Sequence, residues 1–122
     1  MADSYKPNKE MQQAAARGLE LRKQYGRGGT AVGVARARDI SNGKNLPLET
    51  VKRMRSFFAR HASNKKAEGF EKGEKGYPSA GYIAFLLWGG AAGEEWARGI
   101  TEREKKKDSK LSEREDLISE LA

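Results

Sequence analysis

Apolar residues along this chain recur mostly at three- and four-residue intervals, the spacing of helices packed on one face. The pattern predicts a mainly α fold. Asn8 is placed to cap a first helix ending near Tyr25, with Met11, Ala14, Ala15 and Gly18 on one face and Leu21 and Tyr25 broadening it. Gly26-Arg27-Gly28-Gly29 then demands a loop. Thr30 caps a second helix to about Ile40, with Ala31, Val34, Ala35 and Arg38 at helical spacing. Ser41-Asn42-Gly43-Lys44-Asn45 is a turn, because Asn-Gly supplies the positive backbone dihedrals that tight turns need. Pro47 suits the first position of a third helix, Glu49 its first turn, and the helix runs to about His61. Its apolar stripe is Val51, Met54, Phe57 and Phe58. The second and third helices, with a glycine-bearing turn between them, resemble a helix-turn-helix layout, although the turn is longer than usual.

The later half has a different texture. A polar Gly/Lys/Glu stretch over residues 62–76 reads as a mobile loop, with Phe70 its one apolar anchor. Ser79 caps a short helix reaching Trp88 in which Ile83, Phe85, Leu86, Leu87 and Trp88 cover nearly every face. A segment apolar all round belongs in the middle of a core. Gly89-Gly90 stops it, and a further helix from about Ala91 carries Trp96 and Ile100 inward. Residues 101–122 are dense in charge, with a capping-box pattern at Ser112 and Glu115 ahead of Leu117, Ile118 and Leu121. The expected architecture is a compact bundle of four to five short helices with a charged C-terminal helix. Residues 1–7 form a disordered N-terminus, residues 8–100 a helical nucleic-acid-binding domain, and residues 101–122 a helical extension that offers a surface for homodimerisation.

Composition narrows the function. Of 122 residues, 37% are hydrophobic and 34% charged, so the core is small for the chain. With no cysteine and one histidine, His61, neither a disulfide nor a cysteine- or histidine-rich zinc site can be built. No carboxylate spacing points to magnesium or calcium, so no metal and no other cofactor is expected. Residues 1–9 are polar and lack the pattern of a signal peptide. The longest apolar run, residues 82–88, is far too short to span a bilayer, and no membrane partner is expected. The formal net charge is +7, unevenly spread. Residues 17–66 carry thirteen Lys/Arg against Glu20, Asp39 and Glu49, a local net of +10, whereas residues 101–122 come to −1. Concentrated cationic charge raises affinity for a polyanion by releasing its condensed counterions.

That charge defines the candidate site. The third helix offers Lys52, Arg53, Arg55 and Arg60 on the faces its apolar stripe leaves free, alongside Ser56. Such side chains reach phosphates, and arginine also reads guanine bidentately. Arg36, Arg38 and Lys44 precede them, and Lys65 and Lys66 follow. Arg27, in the glycine loop, would add charge where the second helix presents its N-terminal amides to a phosphate. This loop lacks the Gly-Lys-Ser/Thr ending of a nucleotide-binding P-loop and follows no strand pattern. Tyr77, Tyr82, Trp88 and Trp96 are possible stacking platforms for single-stranded bases, but their neighbours Ile83, Phe85 and Leu86 favour core packing. His61 has no nominated acid or nucleophile beside it, and Glu94 and Glu95 suit a helix first turn. No enzyme activity is expected.

Three blocks carry a resemblance. They are Ala35-Arg36-Ala37-Arg38-Asp39-Ile40; Thr50-Val51-Lys52-Arg53-Met54 with Phe57-Phe58-Ala59-Arg60-His61; and Gly76-Tyr77-Pro78-Ser79-Ala80-Gly81 followed by Ile83-Ala84, Leu86-Leu87-Trp88-Gly89-Gly90, Gly93 and Trp96-Ala97. Together they resemble a small domain that recurs in bacteriophage and prophage proteins, alone or fused to homing-endonuclease-like and head-maturation proteins. The resemblance covers residues 29–97. Tyr82 stands where that domain commonly has arginine, and Ala91 where it often has a capping aspartate. The resemblance implies phage origin and, where the domain is joined to a nuclease, a role in targeting DNA; it brings no catalytic residues. The expectation is a DNA-binding protein of the infected bacterial cytoplasm, acting as a transcriptional repressor or a DNA-targeting domain on duplex DNA. The alternatives are a structural or interaction protein of phage head assembly and an RNA-binding module.

Overall fold

Side-chain oxygens start three of the five α-helices in this computed structural model, which describes the backbone of residues 4–121 and the side chains of residues 4–107. Asn8 accepts from the Met11 amide at 2.9 Å and opens α1 (Lys9–Tyr25), which ends where Gly26 adopts φ 64° and donates back to the Arg22 carbonyl. Thr30 accepts from the Gly33 amide at the head of α2 (Ala31–Ser41), and Ser79 from the Tyr82 amide at the head of α4 (Ala80–Leu87). Between α2 and α4 lie α3 (Leu48–Arg60) and a 3₁₀ turn, Ala62–Lys66. The last helix, α5, runs from Gly90 to Leu121.

α4 is the centre, as an all-apolar segment should be. Ile83, Leu86 and Leu87 are buried, and Tyr82, Ala84 and Phe85 pack half-buried around them. α1 lies across α2 and α4 and also meets α5, while α3 packs on α5. The approach of α1 to α4 is close enough that a Cβ on Gly18 would stand 2.8 Å from the Leu87 backbone nitrogen. From α4 a chain of ring contacts runs outward. Tyr77 meets Tyr82, Tyr82 meets Phe70, Phe70 meets Phe85, Phe85 meets Phe58, and Phe58 meets Phe57, at centroid distances of 5.1–5.7 Å. Trp88 then stacks on Phe57 at 4.7 Å and 13°. Full burial of a phenylalanine such as Phe57, Phe58 or Phe70 is worth roughly 1.5–3 kcal/mol.

The mainly helical bundle holds; five of its details differ from expectation. First, residues 4–7 are ordered. Ser4–Tyr5 (β1) pairs antiparallel with Leu46–Pro47 (β2), Pro7 is fully buried, and the Tyr5 hydroxyl donates to Glu104 at 2.8 Å. Apolar anchors on both sides offset the entropy of tying the terminus down; residues 1–3 lie outside the described residues. Second, Pro47 precedes the helix as its cap residue in extended backbone, because β2 claims it. Third, α2 turns Gly33, Ala37 and Ile40 inward and leaves Ala31, Ala35 and Arg38 exposed. In a helix of small side chains, the face that allows close approach wins over the face with more bulk. Fourth, Tyr25 is 45% exposed at the C-terminal end of α1, with the Arg27 guanidinium over its ring at 5.6 Å. Fifth, α5 is one 32-residue helix with no second start at Ser112, since nothing after Gly99 in that charged stretch breaks a helix. The side chains of Ser112, Glu115, Leu117, Ile118 and Leu121, and with them the expected dimerisation surface, lie outside the described residues.

The expected mobile loop also has internal structure. Beyond the 3₁₀ turn, Phe70 is buried between Tyr82 and Phe85, and the Ser79 amide donates to the Gly69 carbonyl at 2.9 Å. α2 and α3, the expected helix-turn-helix pair, pack mainly on other partners, α2 on α1 and α4 and α3 on α5. They face one another across a cleft instead.

Two predictions test this packing. Gly18→Ala should destabilise by about 1–3 kcal/mol, as overpacking against backbone does, whereas Gly99→Ala, whose Cβ would meet only the Arg103 side chain at 3.6 Å, should stabilise by up to about 1 kcal/mol through helix propensity. Urea midpoints for both variants check the contrast. The Tyr5 hydroxyl, with Lys107 at 3.3 Å, holds the Glu104 carboxyl below its ordinary pKa. A depressed carboxylate stabilises the fold above the unfolded pKa, and that contribution disappears as pH falls through the folded one. Tyr5→Phe should therefore move the Glu104 carbon resonance titration upward and flatten the acid side of the stability profile.

Candidate nucleic-acid interface

The amphipathic division of α3 orders its charges. Val51, Met54, Phe57 and Phe58 are buried against α5 and the aromatic chain, so Lys52, Arg53, Arg55, Ser56 and Arg60 are forced outward. At 100° per residue, Lys52, Arg53, Ser56 and Arg60 share one edge of the helix and Arg55 falls on the other. The structure uses both edges. The first forms one wall of a cleft of about 770 Å³, while Arg55 lines a smaller groove of about 320 Å³ together with Phe58, Ala59, Glu94 and Arg98.

The larger cleft draws on three helices. Opposite α3 stand Gly29, Thr30 and Val32 at the start of α2, and Ala80, Gly81 and Ala84 on α4. Phe57 and Trp88 form its floor, and His61 and Asn64 close the end where α3 gives way to the 3₁₀ turn. The glycine loop shapes the opening: Gly28 has φ 100°, and a Cβ there would overlap Ile83 at 2.6 Å, so only glycine lets the chain cross α4 into α2. Glu49 is the one carboxylate among the lining residues, and it accepts from Arg53 at 3.2 Å in an exposed i,i+4 pair. Such a pair is worth about 0–1 kcal/mol and yields readily to a stronger anion. Lys52 and Arg60 complete the cationic wall; the Arg60 Nε donates weakly to the Ser56 carbonyl at 3.4 Å. Neither α2 nor α4 has an acidic residue in its first turn, which leaves their helix dipoles unopposed at the cleft.

The ten basic residues singled out in the sequence therefore separate into groups. Lys52, Arg53 and Arg60 converge on the cleft, and Arg55 lies on the far edge of the same helix. Arg38, Lys44 and Lys66 are exposed but line neither cavity. Arg36 is largely covered, pairs with Asp39 at 3.6 Å and lies over the Trp88 ring at 5.9 Å; its Nε is buried without a hydrogen-bond partner among the described residues. Lys65 ties the 3₁₀ turn to α5 through Glu94 at 2.7 Å and sits over Phe85. Arg27 clamps the glycine loop to the α4 entry, donating from Nε and Nη2 to the Pro78 carbonyl at 3.1 and 2.9 Å and from Nη2 to Gly76 at 3.3 Å. Carbonyl acceptors brought near by folding recruit Arg27, and the Trp88 indole covers Arg36, demands invisible in a linear sequence. What sequence reasoning missed is the opposite wall, Thr30, Val32, Ala80 and Ala84; the 58% exposure of Val32 was the one signal, and it exists only after folding.

Trp88, as expected, is core rather than an open stacking platform, only 8% exposed, and Tyr77, Tyr82 and Trp96 are each partly buried. Among the described residues no group of three or more His, Asp or Glu side chains is placed to hold a metal ion, and no helix is long and apolar enough to cross a membrane.

Because its guanidinium serves carbonyls at the loop–α4 junction, Arg27→Ala should lower stability by about 1 kcal/mol, the scale of lost charge-assisted bonds at a partly exposed site. Arg55→Ala, with no such bond among the described residues, should leave the thermal midpoint nearly unchanged; differential scanning calorimetry separates the two. Compared with known protein families, curated proteins and solved structures, this chain yields no match.

Proposed function

We propose that this chain is a duplex-DNA-binding module that grips the phosphate backbone with α3, without chemistry of its own. The observation that carries the reading is the exposed side of α3, where Lys52, Arg53, Arg55 and Arg60 project outward within three turns against one carboxylate, Glu49. The helix is anchored by buried Met54, Phe57 and Phe58, so binding does not have to order the backbone that carries its cations. The local net charge of +10 over residues 17–66 supplies the long-range attraction that phosphate contacts need. Exposed Arg38, Lys44 and Lys66 add to this field, whereas Arg36, Lys65 and Arg27 act mainly within the fold. The resemblance of residues 29–97 to a phage-borne domain supports a setting in the cytoplasm of an infected bacterium, as a repressor or a DNA-targeting module.

Fluorescence anisotropy with a labelled 20-base-pair blunt duplex at 50 and 200 mM salt tests this. Binding should weaken steeply with salt, and each of Lys52→Ala, Arg55→Ala and Arg60→Ala should reduce the logarithmic salt slope by about 0.9, as expected for one lost phosphate contact. Their thermal midpoints should stay close to that of the parent chain. A folded protein that fails to bind duplex at 50 mM salt overturns the reading.

A further inference from the structure

We propose that the cleft between α2, α3 and α4 is a binding site for a single nucleoside phosphate unit, with its base in the apolar interior and its phosphate on the cationic wall. The inference rests on the DNA-binding reading only for the polymer that could supply the unit. Phosphate contacts along a duplex need only the exposed cations of α3, and they leave unexplained a recess of about 770 Å³ with an apolar interior beside those cations. That volume lies within the roughly 300–1,000 Å³ range of pockets that enclose small organic ligands.

The lining separates by chemistry. Lys52, Arg53 and Arg60 stand along one wall, and Val32 and Ala84 form apolar ground on the others. Val32 is 58% exposed, one of two large apolar side chains so exposed among the described residues. A planar base resting on it removes that area from water. The aromatic floor adds direction. Phe57 stacks on Trp88 at 4.7 Å and meets His61 at 4.5 Å with the rings tilted by 33°, so a run of flat groups leads from the core to an exposed imidazole at the cleft end. A nucleobase is the flat group that extends such a run, since every base offers a π face to a protein ring. Asn64, whose Nδ2 lies 3.3 Å from the His61 Nδ1, and Ser56 supply hydrogen-bonding groups beside it. The charge excess of the wall suits a phosphate and opposes a cationic or acid-poor partner.

The chain contains two tryptophans, so Trp96→Phe leaves Trp88 as the only indole emitter, reporting from the cleft floor. In this full-length background, deoxyadenosine monophosphate should quench emission saturably with a Kd below about 1 mM, and inorganic phosphate at the same concentrations should not. Ser56→Leu, which fills the cleft from an exposed helical position, and Val32→Glu, which puts a carboxylate opposite the cations, should each weaken that binding at least tenfold. Arg98→Ala, in the smaller groove and outside the cleft, should leave it unchanged. A duplex with a five-nucleotide single-stranded overhang distinguishes the sources. At least tenfold preference over the blunt duplex, competed by the mononucleotide and lost in Ser56→Leu, assigns the site to an unpaired nucleotide of DNA. Saturable mononucleotide binding without that preference assigns it to the free nucleotide. No saturable quenching together with no overhang preference overturns the proposal, as does an equal response to inorganic phosphate or indifference to both cleft variants. Because blunt-duplex binding is measured separately, failure of the cleft and failure of the α3 reading are distinguishable.

Discussion

The close seating of α4 against α1 is the constraint on which the rest of the molecule depends. An eight-residue helix apolar on nearly every face is stable in water only if it is covered all round. Gly18 lets the α1 backbone come down onto Leu87, and Gly28 lets the loop after α1 pass over Ile83. With α4 roofed in this way, its aromatic residues become the surface on which Phe58 and Phe70 are received. The loop before α4 takes its place from ring contacts with α4, while α3 is held between α5, on which it packs, and the ring of Phe85.

The position of the charge follows from this packing. α3 is pinned through Phe57 and Phe58, so the helix cannot rotate to hide its arginines, and their two edges open on different recesses. Arg27 and Arg36 show the opposite outcome for the same residue type. Their planar guanidinium groups reach backbone carbonyls or lie over an indole, and the fold consumes them. A cationic sequence is therefore not the same as a cationic surface; what distinguishes them is whether folding brings an acceptor or an aromatic face within reach.

Much of the architecture was legible in local chemistry. Asn8, Thr30 and Ser79 cap the helices expected of them, because capping needs only a residue and the amide three positions on. The stripe of α3 and the central burial of α4 were readable because their bulky residues leave one consistent way to face a core. Reading failed where side chains were small or partners distant. α2 offers Gly33 and Ala37 rather than bulk, and the pairing of Tyr5 with Leu46 and with Glu104 joins segments far apart in the chain.

By itself the sequence determined which segments are helical, that α3 carries a cationic face, and that the aromatic segment lies inside, since each follows from periodicity and capping within one turn or two. Only the tertiary structure decided which cations converge. Lys52, Arg53 and Arg60 meet Thr30, Val32 and Ala84 across a cleft because α2 and α4 are separately packed around α1. That juxtaposition arises from contacts between residues tens of positions apart, and no local pattern encodes it.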